Sequence, residues 1–238
     1  MTKPNAVMIL AAGFGTRMGA LTRAMPKPLL RANDRALLDH TLDHCTAAGV
    51  RRAVINLHYL GDQIRTHLAG RDTPEITFSD EQPEILETGG GVVHALPLLG
   101  PAPFYVMNSD AVFAGPNPMD ALAASWDPSE MDVLLLLVPR AETVAYTRPG
   151  DFFLEGNGLA PRRRGDATTA DYVYTGAQII APKALAEAPS GPFSMNIVWD
   201  RLLSSGRLAA TTLPGPWVDV GTPEGLDAAT EVLRGTRE

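Results

Sequence analysis

The chain has 238 residues, 45% apolar and 20% charged, enough for one sizeable core and with no compositional case for disorder. Its net charge of −7 argues against a nucleic-acid binder, which needs a basic face, though a nucleotide site served by a few local cations stays open. The single Cys45 excludes an internal disulfide; with no apolar run of about 18 residues and only a short one before Gly13, a cytoplasmic protein without membrane span or leader is expected.

Short apolar runs alternate with helix-period stretches along the chain. Val7–Ala11 reads as a buried strand. Arg35–Ala48 reads as a helix with Leu38, Leu42 and Cys45 on one face and Gly49 as its stop. Ala53–Leu57 is the next strand, Gly61–Leu68 a helix and Glu75–Phe78 a third strand. Glu87–Leu99 is a helix closed by Pro97 and Gly100, and Phe104–Asn108 a fourth strand. Met119–Ser125 reads as a short helix and Val133–Val138 as a continuous apolar strand, expected at the sheet centre. From 140 to 171 the pattern weakens, and FFLEGNGLAPRRR reads as a hairpin turning at Gly156-Asn157-Gly158. A strand at Tyr172–Ile180, a helix at Ile197–Ser204, a strand at Leu208–Leu213 and a helix at Pro223–Leu233 complete the chain. The alternation predicts an α/β fold: a doubly wound, mostly parallel sheet in one domain over 1–238, with a small hairpin subregion.

The unusual polar residues collect where these strands end, the edge at which open α/β sheets bind ligands. MILAAGFGTRM empties the first strand into glycines, which admit positive φ and let backbone N–H groups approach an anion. A plain strand-to-helix turn is the alternative. No Lys-Ser/Thr follows, so this is not a Walker loop, and Gly13, Gly15 and Gly19 give GxGxxxG, not the dinucleotide fingerprint. Lys27, one of only three lysines, stands between Pro26 and Pro28 in what reads as a stiff extended segment that aims its ammonium; an exposed turn lysine is the other reading. Asp110 follows the fourth strand and Asp219 follows Trp217-Val218; two carboxylates on one edge could hold Mg²⁺, or each could cap a helix. Glu81 exits the third strand, and Thr175 and Gly176 lie on the strand from Tyr172. His40 and His44 alternate with Asp39 and Asp43 on a face expected to be solvated. Arg162–Arg164 reads as a solvated hairpin end, with contact to a sugar phosphate as the second reading, and Cys45 as core packing.

LAAGFGTRM followed by PKPLL resembles the paired motif of the sugar-1-phosphate nucleotidyltransferases, written LAAGxGTRM…PKP. ETGGGVVHALPLLG, NSDAVF and WVDVGTPE follow in that family's order, so the resemblance covers essentially the whole chain. Within the family, ETGGG and the short chain look most like the bacterial N-acetylmuramate-1-phosphate uridylyltransferases of cell-wall recycling. The resemblance implies the Rossmann-like nucleotide-diphospho-sugar transferase fold and a Mg²⁺-dependent reaction: a sugar-1-phosphate oxygen attacks the α-phosphorus of an NTP, UTP above all, and pyrophosphate leaves. By position it implies Ala11, Ala12, Gly13, Gly15, Thr16 and Arg17 around the triphosphate, with Arg17 on the β and γ phosphates and Lys27 on the α-phosphate. It implies Glu81, Thr88, Gly89 and Gly90 by the base, Asn108, Thr175 and Gly176 along the sugar, and Asp110 and Asp219 on Mg²⁺. The implied partners are the NTP and the sugar-1-phosphate, with no nucleic acid or membrane, in a monomer or small homo-oligomer. Gly19-Ala20 replace the usual basic–proline pair, Ser109 stands where glycine usually precedes the aspartate, and APRRRGD occupies the place of the EKP of longer members. The rival readings are guanylyl transfer to mannose-1-phosphate, uridylyl or thymidylyl transfer to glucose-1-phosphate, and a non-catalytic nucleotide-sugar-binding regulator.

Overall fold

Strand β1 (Ala6–Leu10) runs out into two 3-10 turns, Thr16–Thr22 and Lys27–Leu29, and a ribbon of β2 (Arg31–Ala32) and β3 (Arg35–Ala36), in a computed structural model that describes residues 3–155 and 160–235. Next come α1 (Leu37–Ala47), β4 (Arg52–Leu57), α2 (Gly61–Leu68), β5 (Glu75–Asp80), α3 (Glu87–Leu99) and β6 (Phe104–Asn108). The chain continues through β7 (Ala111–Phe113), α4 (Pro118–Ser125), β8 (Val133–Pro139) and β9 (Thr143–Val144) to the paired strands β10 (Phe152–Glu155) and β11 (Ala160–Arg163). The turn expected at Gly156-Asn157-Gly158 lies outside the described residues. Last are β12 (Tyr172–Ile180), α5 (Asn196–Ser204), β13 (Leu208–Thr212), β14 (Trp217–Asp219) and α6 (Pro223–Gly235).

In the main sheet, β13, β8, β12, β6, β1, β4 and β5 lie side by side, and the β10–β11 hairpin joins through Phe152 opposite Tyr172. β6, β1, β4 and β5 are parallel to one another, as β8 is to β13, so the sheet is mostly parallel as expected. β12 is the exception, antiparallel to both β6 and β8. β8, expected at the centre, is second from the edge; it is buried all the same because helices cover both faces. Alternation along β1 sends Val7 and Ile9 to one core with Leu38, Leu42 and Ile64, and Ala6 and Met8 to another with Val92, Leu99 and Val198. Each such large aliphatic side chain contributes about 1.5–3 kcal/mol by leaving water. Cys45 lies in the first core, where burial pushes its thiol up to about 12. His40 and His44 depart from the solvated face expected of them. Each is half-buried, with Nε2 against Ala32 O at 3.0 Å and Phe113 O at 3.3 Å, and burial lowers the pKa of His44.

A small second sheet, ordered β7-β14-β9 and covered by α6, sits at the exit of β6. Its register sets Ala111 opposite Asp219, so Asp110 stands one position beyond that pair. Residues more than a hundred positions apart thereby reach one place at the sheet edge.

Candidate active site

Three cavities open side by side at the carboxyl end of β1, and Leu10 borders all of them. The first, of about 210 Å³, is lined by Gly13, Gly15, Thr16, Arg17, Lys27 and Asp110 among others. Gly15 adopts φ 63°, and a Cβ there would come within 3.0 Å of both Lys27 Cβ and Thr22 Cγ2. The glycine therefore lets the lysine stem lie against the loop as well as turning it. Thr22 Oγ1 donates to Gly15 O at 3.0 Å and pins the turn. Gly13 has open space around its Cα, leaving room for a ligand at the backbone. A 3-10 turn broken at Gly19 follows the loop where an α-helix was expected, and Lys27 opens another such turn instead of lying in an extended segment.

Lys27 is 7% exposed and donates to Asp110 Oδ2 at 2.5 Å. Arg17 is exposed at the cavity mouth and makes no hydrogen bond or ion pair among the described residues. A Cβ on Gly221 would lie 2.8 Å from Arg17 Nη1 and 3.2 Å from Asp219 Oδ2, so this glycine brings the cation and the carboxylate to one point. Arg148 Nη2 donates to the same Asp219 oxygen at 3.0 Å. Ser109, in the place of a glycine, turns its hydroxyl back to Leu10 O at 2.7 Å and leaves the neighbouring aspartate clear. Asp110 and Asp219 form a pair of hard oxygen donors of the kind Mg²⁺ takes together with substrate phosphate oxygens. Each is paired with a side-chain cation, Lys27 on Asp110 and Arg148 on Asp219, with which a divalent ion would compete.

The second cavity, of about 200 Å³, is bordered by Ala12, Asn56, Glu81, Ile85, Thr88 and Asn108 among others. Glu81 is only 1% exposed and both its oxygens are engaged: Oε1 accepts from Asn56 Nδ2 at 2.7 Å and Oε2 from Leu86 N at 2.8 Å. Asn56 Oδ1 in turn accepts from Ala11 N at 2.6 Å, so Glu81 is a strut beneath the glycine loop. Gly89 and Gly90 serve packing: both amides donate to Phe193 O, and a Cβ on Gly89 would lie 2.2 Å from the Phe193 ring. Neither lines this cavity, whereas Thr88 does.

The third cavity, of about 350 Å³, lies between β12 and α5 and is reached by Asn108, Arg148, Asp151, Arg163 and Gln178 among others. Asn108 borders both this cavity and the second, and its side-chain amide makes no hydrogen bond among the described residues. Gly176, at φ 86°, clears it: a Cβ there would meet Asn108 Nδ2 at 2.7 Å. Thr175 is placed differently from expectation. The reversal of β12 keeps this residue beside the carboxyl end of β6, but it is 1% exposed and its hydroxyl donates to Leu136 O at 2.9 Å inside the sheet. Arg148, Asp151, Gln178 and Gly221 were missed by motif reasoning, and Arg163 entered only within a basic run whose second reading was contact with a sugar phosphate. Only the glycine of WVDVGTPE and the arginine run carried any signal.

A glycine loop, two cations and two carboxylates thus stand together at the exits of this sheet, a set of groups suited to a nucleotide's phosphates. Residues 7–156 match the MobA-like NTP transferase domain, and the chain belongs to that family, among its sugar nucleotidyltransferases. It is 43% identical over 233 residues to the N-acetylmuramate alpha-1-phosphate uridylyltransferase of Caulobacter vibrioides, covering 95% of this chain and 96% of that one. Identity is 33% over 219 residues to the protein of the same name from Neisseria meningitidis serogroup B, covering 90% and 92%. Among solved structures, UDP-glucose pyrophosphorylase complexed with UDP-glucose superimposes with a TM-score of 0.79 at 16% identity, covering 98% and 99%, a likeness of fold.

Proposed function

We propose that this chain transfers a uridylyl group from UTP to N-acetylmuramate α-1-phosphate, releasing pyrophosphate and forming UDP-N-acetylmuramate in the cytoplasm. The observation that carries it is that Arg17, Lys27 and Asp110 line one cavity, with Asp219 beside Gly221 of the same cavity. The two relatives of that activity, aligned over at least 90% of the chain, support the choice of acceptor. In the reaction an acceptor phosphate oxygen bonds to the α-phosphorus in line, and the bond to the β-phosphoryl oxygen breaks with its electron pair leaving on pyrophosphate. The protein's part is positioning and charge compensation. The amides of the Gly13–Thr16 loop receive the triphosphate, and Arg17, unpaired at the mouth, takes the β and γ charge. Lys27 supplies an ammonium for the α-phosphoryl oxygens, releasing Asp110 as it moves to them. Asp110 and Asp219 are the residues that would hold Mg²⁺, which when bound supplies charge neutralisation at the transferring phosphoryl group. The second cavity takes the base, with Thr88 on its wall, and the third takes the acceptor sugar, with Asn108 between them.

The test is a matrix of the four NTPs against N-acetylmuramate, N-acetylglucosamine, mannose and glucose 1-phosphates, read by pyrophosphate release. The expected maximum is UTP with N-acetylmuramate α-1-phosphate. A higher kcat/KM for another pair overturns the substrate assignment, and no release from any pair overturns the catalytic one.

A further inference from the structure

The third cavity holds polar groups to which nucleotidyl transfer itself gives no role. Gln178 is 2% exposed; its Oε1 accepts from Trp199 Nε1 at 3.0 Å, which fixes the amide. Its Nε2 has no partner among the described residues. This donor opens onto the cavity, where a ligand oxygen can accept from it. Arg163 enters the same cavity from β11. Arg162 pairs with Glu155 and Arg164 donates to Ala167 O, so of the three consecutive arginines only the middle one reaches the cavity.

The Arg163 side chain is held ready. Its Nε donates to Asp200 Oδ1 at 2.8 Å and its Nη2 to Asn196 Oδ1 at 3.0 Å. The guanidinium carbon lies 4.9 Å from the Phe152 ring centre and 5.3 Å from that of Trp199. Nη1 makes no hydrogen bond among the described residues. The Asp200 side chain is 61% exposed, so water screens its charge and the guanidinium keeps its pull on a second anion. Arg148, by contrast, reaches Asp219 and so stands at the phosphate end of the cavity. The cavity therefore has a cation for the acceptor's phosphate and another some way from it.

We infer that Arg163, with the Gln178 amide in the same cavity, is the specificity-determining residue that reads a carboxylate on the acceptor, making this a site for acidic sugar phosphates. The inference rests on the proposed function. N-acetylmuramate differs from N-acetylglucosamine by a lactyl ether that ends in a carboxylate, and a planar guanidinium edge matches that group. A neutral sugar would leave the Arg163 charge without its counterpart, and a site built to bond one group rejects the analogue that lacks it.

The experiment uses the full chain, as wild type, Arg163→Ala and Arg163→Lys, with UTP and either N-acetylmuramate or N-acetylglucosamine α-1-phosphate. Arg163→Ala is expected to raise KM for the acidic acceptor by about 10- to 100-fold, the worth of one charged hydrogen-bonded contact. KM for UTP and the kinetics with the neutral acceptor should stay within about twofold, because neither contact involves this guanidinium. Arg163→Lys, which keeps the charge and loses the fork, should recover part of the loss; it carries the test alone if the alanine variant does not fold. Equal losses with both acceptors, or an undiminished preference for the acid, would refute the role of Arg163 and leave the uridylyl reaction standing. A wild type with no preference for the acidic acceptor would refute the proposed substrate and this inference together.

Discussion

Glu81→Gln isolates the strut under the phosphate loop. In the wild type both carboxylate oxygens face donors, Asn56 Nδ2 at 2.7 Å and Leu86 N at 2.8 Å. Glutamine turns one of those acceptors into an NH₂ group, which must then confront a donor. Losing one charge-assisted hydrogen bond costs about 1.5–3 kcal/mol, and stranding a buried N–H about 1–3 kcal/mol more. Relief of the buried charge works in the opposite direction, which brings the expected net loss to about 2–3 kcal/mol. In a domain of this size each kcal/mol moves the midpoint by about 2–4 °C, so Tm should fall by about 4–12 °C. Flipping the Asn56 amide offers no escape. It would satisfy the glutamine but turn an NH₂ toward Ala11 N, which now donates to Asn56 Oδ1 at 2.6 Å, and so carry the conflict into the loop. KM for UTP should therefore rise along with the thermal loss. Differential scanning calorimetry and steady-state kinetics read both effects. A midpoint within about 1 °C of wild type with an unchanged KM for UTP would show that this network does not hold the loop.

Lys27→Ala should lower kcat by about 10²–10³-fold with the fold intact by circular dichroism, and turnover close to wild type would remove its assigned role. Asp110→Asn and Asp219→Asn should each abolish the response of activity to added Mg²⁺, and a wild type fully active in EDTA would sink the two-carboxylate assignment. Gly176→Ala drives a Cβ to 2.7 Å from Asn108 Nδ2 at φ 86°, so a loss of about 1–3 kcal/mol by urea titration is expected, together with weaker acceptor binding. Burial pushes the Cys45 thiol up to about 12, so it stays neutral at pH 8 and should resist a thiol reagent until the protein is unfolded. The sign for stability follows. This contribution is intact below the unfolded thiol's pKa of about 8.5 and is lost as pH climbs from there toward 12, a decline that titrations of a Cys45→Ala variant should lack.

Much of this architecture is legible in the chain because its periods are local. The run from Val7 reads as a buried strand and is one, and the ends of β4, α2 and β6 coincide with turn signals within a residue or two. Strand direction is another matter. An apolar run reads the same whichever way it crosses a sheet and does not tell which of its polar side chains turn inward: Thr175 lies beside the carboxyl end of β6, yet spends its hydroxyl on Leu136 O. Gly89 and Gly90 mislead for a related reason. A missing Cβ serves a close-packed neighbour as well as a close-bound ligand, and only the positions of Phe193 beside Gly89 and of the Gly191 carbonyl beside Gly90 tell which. Arg163 stayed hidden in a basic run because its orientation depends on hairpin register, Phe152 opposite Arg163, which composition cannot encode. Lys27 and Asp110, by contrast, were found by motif and meet in space, 83 positions apart in the chain.

Leu10 ends β1 as a partition with three cavities around it. A partition shared in this way couples the seats it divides: enlarging or shrinking its side chain alters nucleotide fit and acceptor fit in one stroke. Selection or engineering for a new sugar therefore cannot work at this wall without disturbing the reacting phosphates. The freedom to diversify lies on the far sides, at Gln178 and Arg163 for the acceptor and at Ile85 and Glu87 for the base, where a change touches one cavity and leaves the other two as they were.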